Sequence, residues 1–189
     1  MRQENILMGT NDMPTLKTVL IAICVFVVMS CVFSNAYAAG NNWDSLLAVG
    51  VRCSGLPKEL ILSVIWNESR GNPNAVNING VASYSPSSPE QALRYVYHHN
   101  RANVDVGLMQ VNWLTWGPVY KLTVADLLDP ATNVCVGSRI MRDYIAEHGG
   151  SWRGVGRYNA VSYNKQAAYA YRISQTIQQI QKLYRLAEN

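Results

Sequence analysis

One carboxylic acid, several amides and a phenol stand out along this chain by type and position. Glu68 follows the apolar stretch Leu60-Ile61-Leu62-Ser63-Val64-Ile65, with Val64 and Ile65 one helical turn behind it. A carboxyl projecting beside that surface loses hydration, and the negative end of a helix dipole adds to the cost of ionising it. An acid still protonated near neutrality is what general acid catalysis on an ether-type oxygen requires. Taken alone, a solvated glutamate at a helix end is the simpler description. Asp105-Val106-Gly107-Leu108-Met109-Gln110-Val111-Asn112 sets a glycine beside apolar residues and two amides, which predicts a tight turn offering polar groups to a groove. Asp105 reads as a turn residue ahead of Gly107. Gly156-Arg157-Tyr158-Asn159-Ala160 predicts a helix end presenting a phenol and an amide. Each stretch also has an ordinary description: Met109 in the core, Tyr158 half-buried, Asn159 closing a helix.

The elements that must position these groups read as mostly helical. Residues 43–51 predict a short first helix, with Cys53 just beyond it. Pro57 suits the first turn of a second helix, which runs to about Arg70 and stops before Gly71-Asn72-Pro73. Residues 71–88 are rich in Asn, Gly, Ser and Pro and predict a loop, with a small hairpin around Asn79-Gly80. Ser87-Ser88 before Pro89-Glu90-Gln91 is a capping signal for a helix over 89–100. Asp129-Pro130 opens a longer helix to His148, Ser151 caps a short one to Asn159, and residues 164–187 form the last. That last segment carries Ala167, Tyr171, Ile173, Ile177, Ile180, Leu183 and Tyr184 at mostly helical spacing. The sum is a mainly α domain with at most a small hairpin or sheet.

The N-terminus decides where that domain starts. Residues 19–33 are apolar apart from Ser30 and two cysteines, and fifteen residues fall short of the ~20 a membrane-spanning helix needs. Lys17 precedes the run and Ala36-Tyr37-Ala38 follows it, so a signal peptide over 1–38 is expected, cleaved after Ala38. Met13 serves equally well as the start, and an uncleaved anchor or a lipid on Cys31 are the weaker alternatives. Residues 39–189 then form a single domain with no stable membrane span. The leader holds two basic and two acidic residues, so the net charge of +4 belongs to the rest, spread without a basic run. Nucleic acid is not implied. Of four cysteines, Cys24 and Cys31 leave with the leader. The remaining Cys53 and Cys135 suggest a disulfide in an exported chain, two separately buried thiols being the alternative. His98, His99 and His148, without a Cys/His cluster, predict no zinc or other metal.

The order of the motifs changes their weight. Glu68-Ser69, then Gly107-Leu108-Met109-Gln110, then Tyr158-Asn159-Ala160 resembles the three ordered motifs of the lytic transglycosylases with a lysozyme-like fold. The resemblance spans about residues 56–160, and Glu68-Ser69-Arg70-Gly71-Asn72-Pro73 with Asn79-Gly80 is similar to the family's first motif and its following loop. A narrower likeness is to the small members that accompany type III and type IV secretion, conjugation and pilus systems. Leu128-Asp129-Pro130 with Asn133-Val134-Cys135, and the helix over 89–100, resemble segments of that group. In it the cysteine pairs with one near the mature start. Val161 stands where many relatives carry Gly, and Arg157 where a small residue is common, which puts substrate fit in doubt rather than chemistry.

The resemblance implies a lysozyme-like α+β fold, a periplasmic location, peptidoglycan glycan strands as substrate and no cofactor. It implies cleavage of the β-1,4 bond between N-acetylmuramic acid and N-acetylglucosamine, with Glu68 first as acid and then as base to the substrate's own C6 hydroxyl. Ser69, Gln110 and Asn112 are the candidates for contacts to N-acetyl groups. Tyr158 and Asn159 position the acid and the sugar, while Gly107 and Met109 shape the groove wall. Partners among secretion or pilus components follow from the narrower likeness. A hydrolytic muramidase is one alternative and needs a second carboxylate, for which Asp105 is the nearest candidate. A non-catalytic peptidoglycan-binding assembly factor is the other.

Overall fold

The computed structural model describes residues 43–79, 82–99 and 103–187, so the leader, its cleavage pattern, Cys31, Gly80 and Asn100 lie outside the described residues. The first helix, α1 (Trp43–Ser54), runs three residues past its expected end, so Cys53 sits in its last turn. Ser54 holds that turn by donating its hydroxyl to the Gly50 carbonyl at 2.8 Å. Helix α2 (Lys58–Ser69) starts one residue after Pro57, which takes the N-cap position instead of the first turn. Its end is set by Arg70 and Gly71, both in the left-handed region at φ 55° and 80°.

The segment between α2 and the next helix supplies part of a sheet. Strands β1 (Val76–Ile78) and β2 (Ala82–Tyr84) form the expected hairpin. The sheet then continues to β3 (Val104–Val106) and β4 (Val111–Asn112), antiparallel throughout in the order β2-β1-β3-β4. Asp105 is therefore a strand residue, and the expected turn assignment is corrected. The turn comes after it, at Gly107 and Gln110, with φ 78° and 49°. Register explains the placement. Ser83 pairs with Asn77, Asn77 with Asp105, and Asp105 with Asn112. Because side chains alternate along a strand, these four share one face. Val76, Ile78, Val104, Val106 and Val111 take the other face and are buried.

Helix α3 (Pro89–His98) is capped as expected, Ser88 accepting from the Gln91 amide. Two helices were not anticipated, α4 (Trp113–Tyr120) and α5 (Val124–Leu128). Gly117-Pro118 reads as a breaker, and neither helix is long enough for a periodic pattern to outweigh it. Asn112 caps α4 by accepting from Thr115, and Thr123 with Asp126 forms a reciprocal capping box on α5. Helix α6 (Pro130–Glu147) is capped by Asp129 and ends ahead of Gly149 and Gly150. Helix α7 (Trp152–Asn159) has Ser151 at its N-cap position, but that hydroxyl donates to the His148 carbonyl and caps nothing.

The last helix, α8 (Tyr163–Ala187), buries Ile173 and Ile180 of the expected set and turns others of it outward. Tyr169, Ile173, Thr176 and Ile180 point inward, whereas Tyr171 is 66% exposed and Ala167 and Tyr184 face solvent. Ile173 fixes the stripe, and one turn back from it lies residue 169, not 171. Ile61, Val64, Ile65, Leu108, Met109, Leu127, Met141 and Ile173 form the centre of the core. Gly50 lets α1 press on α6, since a Cβ there would meet a Val134 methyl at 2.9 Å. Cys53 and Cys135 are disulfide-bonded across the same pair, Cα to Cα 5.4 Å. Among the described residues no helix is long and apolar enough to cross a membrane.

Candidate active site

A groove of about 570 Å³ runs between the polar sheet face and the ends of α2 and α7. Glu68, the penultimate residue of α2, lies at its edge, and Asn77, Ser83, Asp105 and Asn112 form one wall. Gln110, Tyr158 and Asn159 complete the convergence of the expected polar groups.

Glu68 is partly buried against the apolar end of α2, and its pKa is raised from 4.5 to about 7. Loss of hydration is the main cause, and the negative charge of Asp105 adds to it. Two effects oppose the rise: a hydrogen bond from Tyr169 and, more weakly, the charge of Arg172. The Tyr169 hydroxyl donates to Glu68 Oε1 at 2.5 Å. Burial and the nearby Glu68 hold both the Tyr169 and the Tyr158 phenols well above the ordinary range, so each stays a neutral donor. Tyr169 is absent from the apolar positions expected in α8, which include Tyr171 instead. The spacing back from Ile173 was the signal that could have found it.

The turn from Gly107 to Gln110 holds the wall in place. Asn133 of α6 is fully buried beneath it, accepting from the Met109 amide and donating to the Val106 and Leu127 carbonyls, each within 2.8 Å. Gly107 is required there, because a Cβ would fall 2.3 Å from the Asn133 amide nitrogen. Gln110 donates its amide to the Ala75 and Gly107 carbonyls at 3.1 and 2.9 Å. Tyr158 donates to the Met109 carbonyl at 2.7 Å, bringing α7 to the same turn.

Asp105 occupies the middle of the polar wall. Its carboxylate accepts from Asn77 at 3.2 Å, Asn79 at 2.9 Å and Asn112 at 2.7 Å. The alternation Val104-Asp105-Val106 beside Val76-Asn77-Ile78 is the sequence signal for this row, though strands of three residues make it faint.

Three expected contact residues do not line the groove. Ser69 is buried, donating to the Leu108 carbonyl at 2.8 Å and accepting from the Gly71 amide. Met109 is fully buried in the core, and its backbone carbonyl accepts from Tyr158. Gly107 lies under the wall, its amide donating to the Ala75 carbonyl at 2.8 Å. These residues build the groove from behind. Thr115 and Trp116 of α4 line it and were not foreseen.

A mainly α domain with a helix-end acid over a cleft walled by a small antiparallel sheet has the lysozyme-like architecture. The chain belongs to the Transglycosylase SLT domain family, which matches residues 51–181. It is also 30% identical over 106 residues to the Invasion protein IagB of Salmonella typhimurium, in strains SL1344 and LT2, and of Salmonella typhi. That match spans 53% of this chain and 66% of the relatives' length, just under two thirds. No solved structure matches.

Proposed function

We propose that the protein is a peptidoglycan lytic transglycosylase in which Glu68 alone carries the proton transfers. The observation that carries this reading is a carboxyl raised to about 7 at the edge of a groove of amides and hydroxyls. Below that pH the acid is protonated and donates to the glycosidic oxygen as the bond from C1 of N-acetylmuramic acid breaks. The resulting carboxylate takes the proton of the C6 hydroxyl of the same sugar as that oxygen closes on C1. Glu68 regains its proton, no water is consumed, and the product ends in a 1,6-anhydro ring. The nucleophile is held within the substrate, which gives it the advantage of proximity over water.

Tyr169 and Tyr158 hold Glu68 and the groove wall, and Gln110, Asn112 and Asn159 are the candidates to receive the sugar's acetamido groups. The active protein is the exported domain from residue 39 onward, acting in the periplasm. Local opening of the wall for a secretion, conjugation or pilus apparatus extends this reading, supported by the likeness to proteins named for invasion. Mass spectrometry of digested sacculi tests it. Muropeptides lighter by one water than lysozyme products are expected, and their absence removes the transglycosylase.

A hydrolytic muramidase is the second reading, favoured by one observation. Asp105 lines the same groove as Glu68 and bears on its ionisation. Hydrolysis by a carboxylate pair uses the second group as base or nucleophile. Its product carries an ordinary reducing end.

A further inference from the structure

A second depression, of about 540 Å³, lies on the outer side of α7 and α8. Trp152, Tyr163 and Tyr171 line it and are 51%, 68% and 66% exposed. The floor between them is small, made by Ala167, Ala170 and Ser174 of α8. These residues recur three or four apart along the helix, away from the stripe that carries Tyr169 and Ile173. Nothing in the proposed chemistry uses this face.

Gln166 connects the depression to the catalytic groove. It is 4% exposed, lines the depression, and donates its amide to the Ala160 and Val161 carbonyls at 3.1 and 2.8 Å. Among the described residues its buried carbonyl oxygen has no hydrogen-bond partner. Val161, whose backbone it holds, is 80% exposed and lines the catalytic groove. Val161 and Tyr163 are two residues apart, so their Cα atoms are at most about 7 Å from each other. Residues lining the two depressions therefore stand within one turn of each other. Arg153 lies over Tyr163, 5.8 Å from the ring centre, and adds a positive charge to the rim.

We propose that this depression is a second glycan-binding subsite, taking the stretch of amino-sugar strand that leaves the catalytic groove past Val161. Flat aromatic rings complement the C–H faces of sugar rings. Arg153, at the rim, suits the carboxylates attached to such a strand. The inference rests on the peptidoglycan substrate proposed above and concerns length, because only a strand longer than the catalytic groove reaches both places.

The test uses Trp152→Ala with Tyr171→Ala, two exposed side chains whose loss leaves the core intact, verified by an unchanged melting curve. In a Glu68→Gln background, co-sedimentation with purified sacculi is expected to weaken at least tenfold. In the active protein, KM on sacculi is expected to rise while turnover of a glycan fragment too short to pass Val161 stays unchanged. Unchanged sedimentation overturns the subsite, and so does an equal loss on short and long substrates. A face that docks a protein partner gives the first of these results. If the parent protein cleaves nothing yet the aromatic replacements still release the Glu68→Gln protein from sacculi, the catalytic reading fails and the subsite stands.

Discussion

The Tyr169 hydroxyl donates to Glu68 Oε1 at 2.5 Å, joining residues 101 positions apart. The bond favours the carboxylate and so lowers the pKa that burial raises. Tyr169→Phe removes it without opening a cavity. The Glu68 pKa is then expected above its present value of about 7, moving the alkaline limb of the pH–rate profile to higher pH. Loss of orientation should lower the maximal rate by about tenfold to a hundredfold. An unchanged limb with an unchanged rate excludes Tyr169 as a positioning residue.

Glu68 also ties stability to pH. Its pKa is raised from 4.5 to about 7, so the folded state holds the proton more tightly than the unfolded chain. Its contribution is complete below pH 4.5 and is lost as pH rises to about 7, then stays constant. Glu68→Gln resembles the protonated acid and does not titrate. Urea unfolding should place this variant near the parent at pH 4 and about 3 kcal/mol more stable at pH 8. Glycan cleavage should be almost abolished in the same protein, with sacculus binding retained.

Much of this arrangement was legible because several helices carry their own punctuation. Ser88 before Pro89 and Asp129 before Pro130 mark starts that the structure keeps. Glu68 was legible because apolar residues one turn back imply lost hydration. The sheet was harder to read: its strands hold two or three residues, too few for alternation to stand out, and its central pairing, β1 with β3, joins segments nearly thirty positions apart. Asp105 was therefore read from its neighbour Gly107 and not from its partners Asn77 and Asn112. Ser69 and Met109 were expected at the groove because they sit within motifs. A motif also contains the residues that hold its shape from behind, and both are of that kind.

Asn133 is the principal fastening of the wall, satisfying one buried amide and two buried carbonyls. Asn133→Ala removes all three bonds and opens a cavity. A loss of about 3–5 kcal/mol is expected, measured by denaturant unfolding of the oxidised protein. Gly107→Ala should be comparably damaging, because its φ of 78° and the 2.3 Å approach to Asn133 leave no room for a methyl group. A loss below 1 kcal/mol in both variants sinks this account of the turn.

Asp105→Asn separates the two chemical readings. The substitution removes a negative charge near Glu68, so the Glu68 pKa should fall and the alkaline limb should move to lower pH. It also gives the wall an amide with one acceptor oxygen, where three asparagine donors now converge on a carboxylate. Sugar binding should weaken, and the rate should fall by about tenfold as positioning is lost. In a transglycosylase the residual product keeps its 1,6-anhydro end, because the attacking hydroxyl comes from the substrate and needs no second carboxylate. In a muramidase the parent protein releases ordinary reducing ends and the variant is inactive, because the base or nucleophile is gone. Product mass and residual rate, measured together on one batch of sacculi, decide between them.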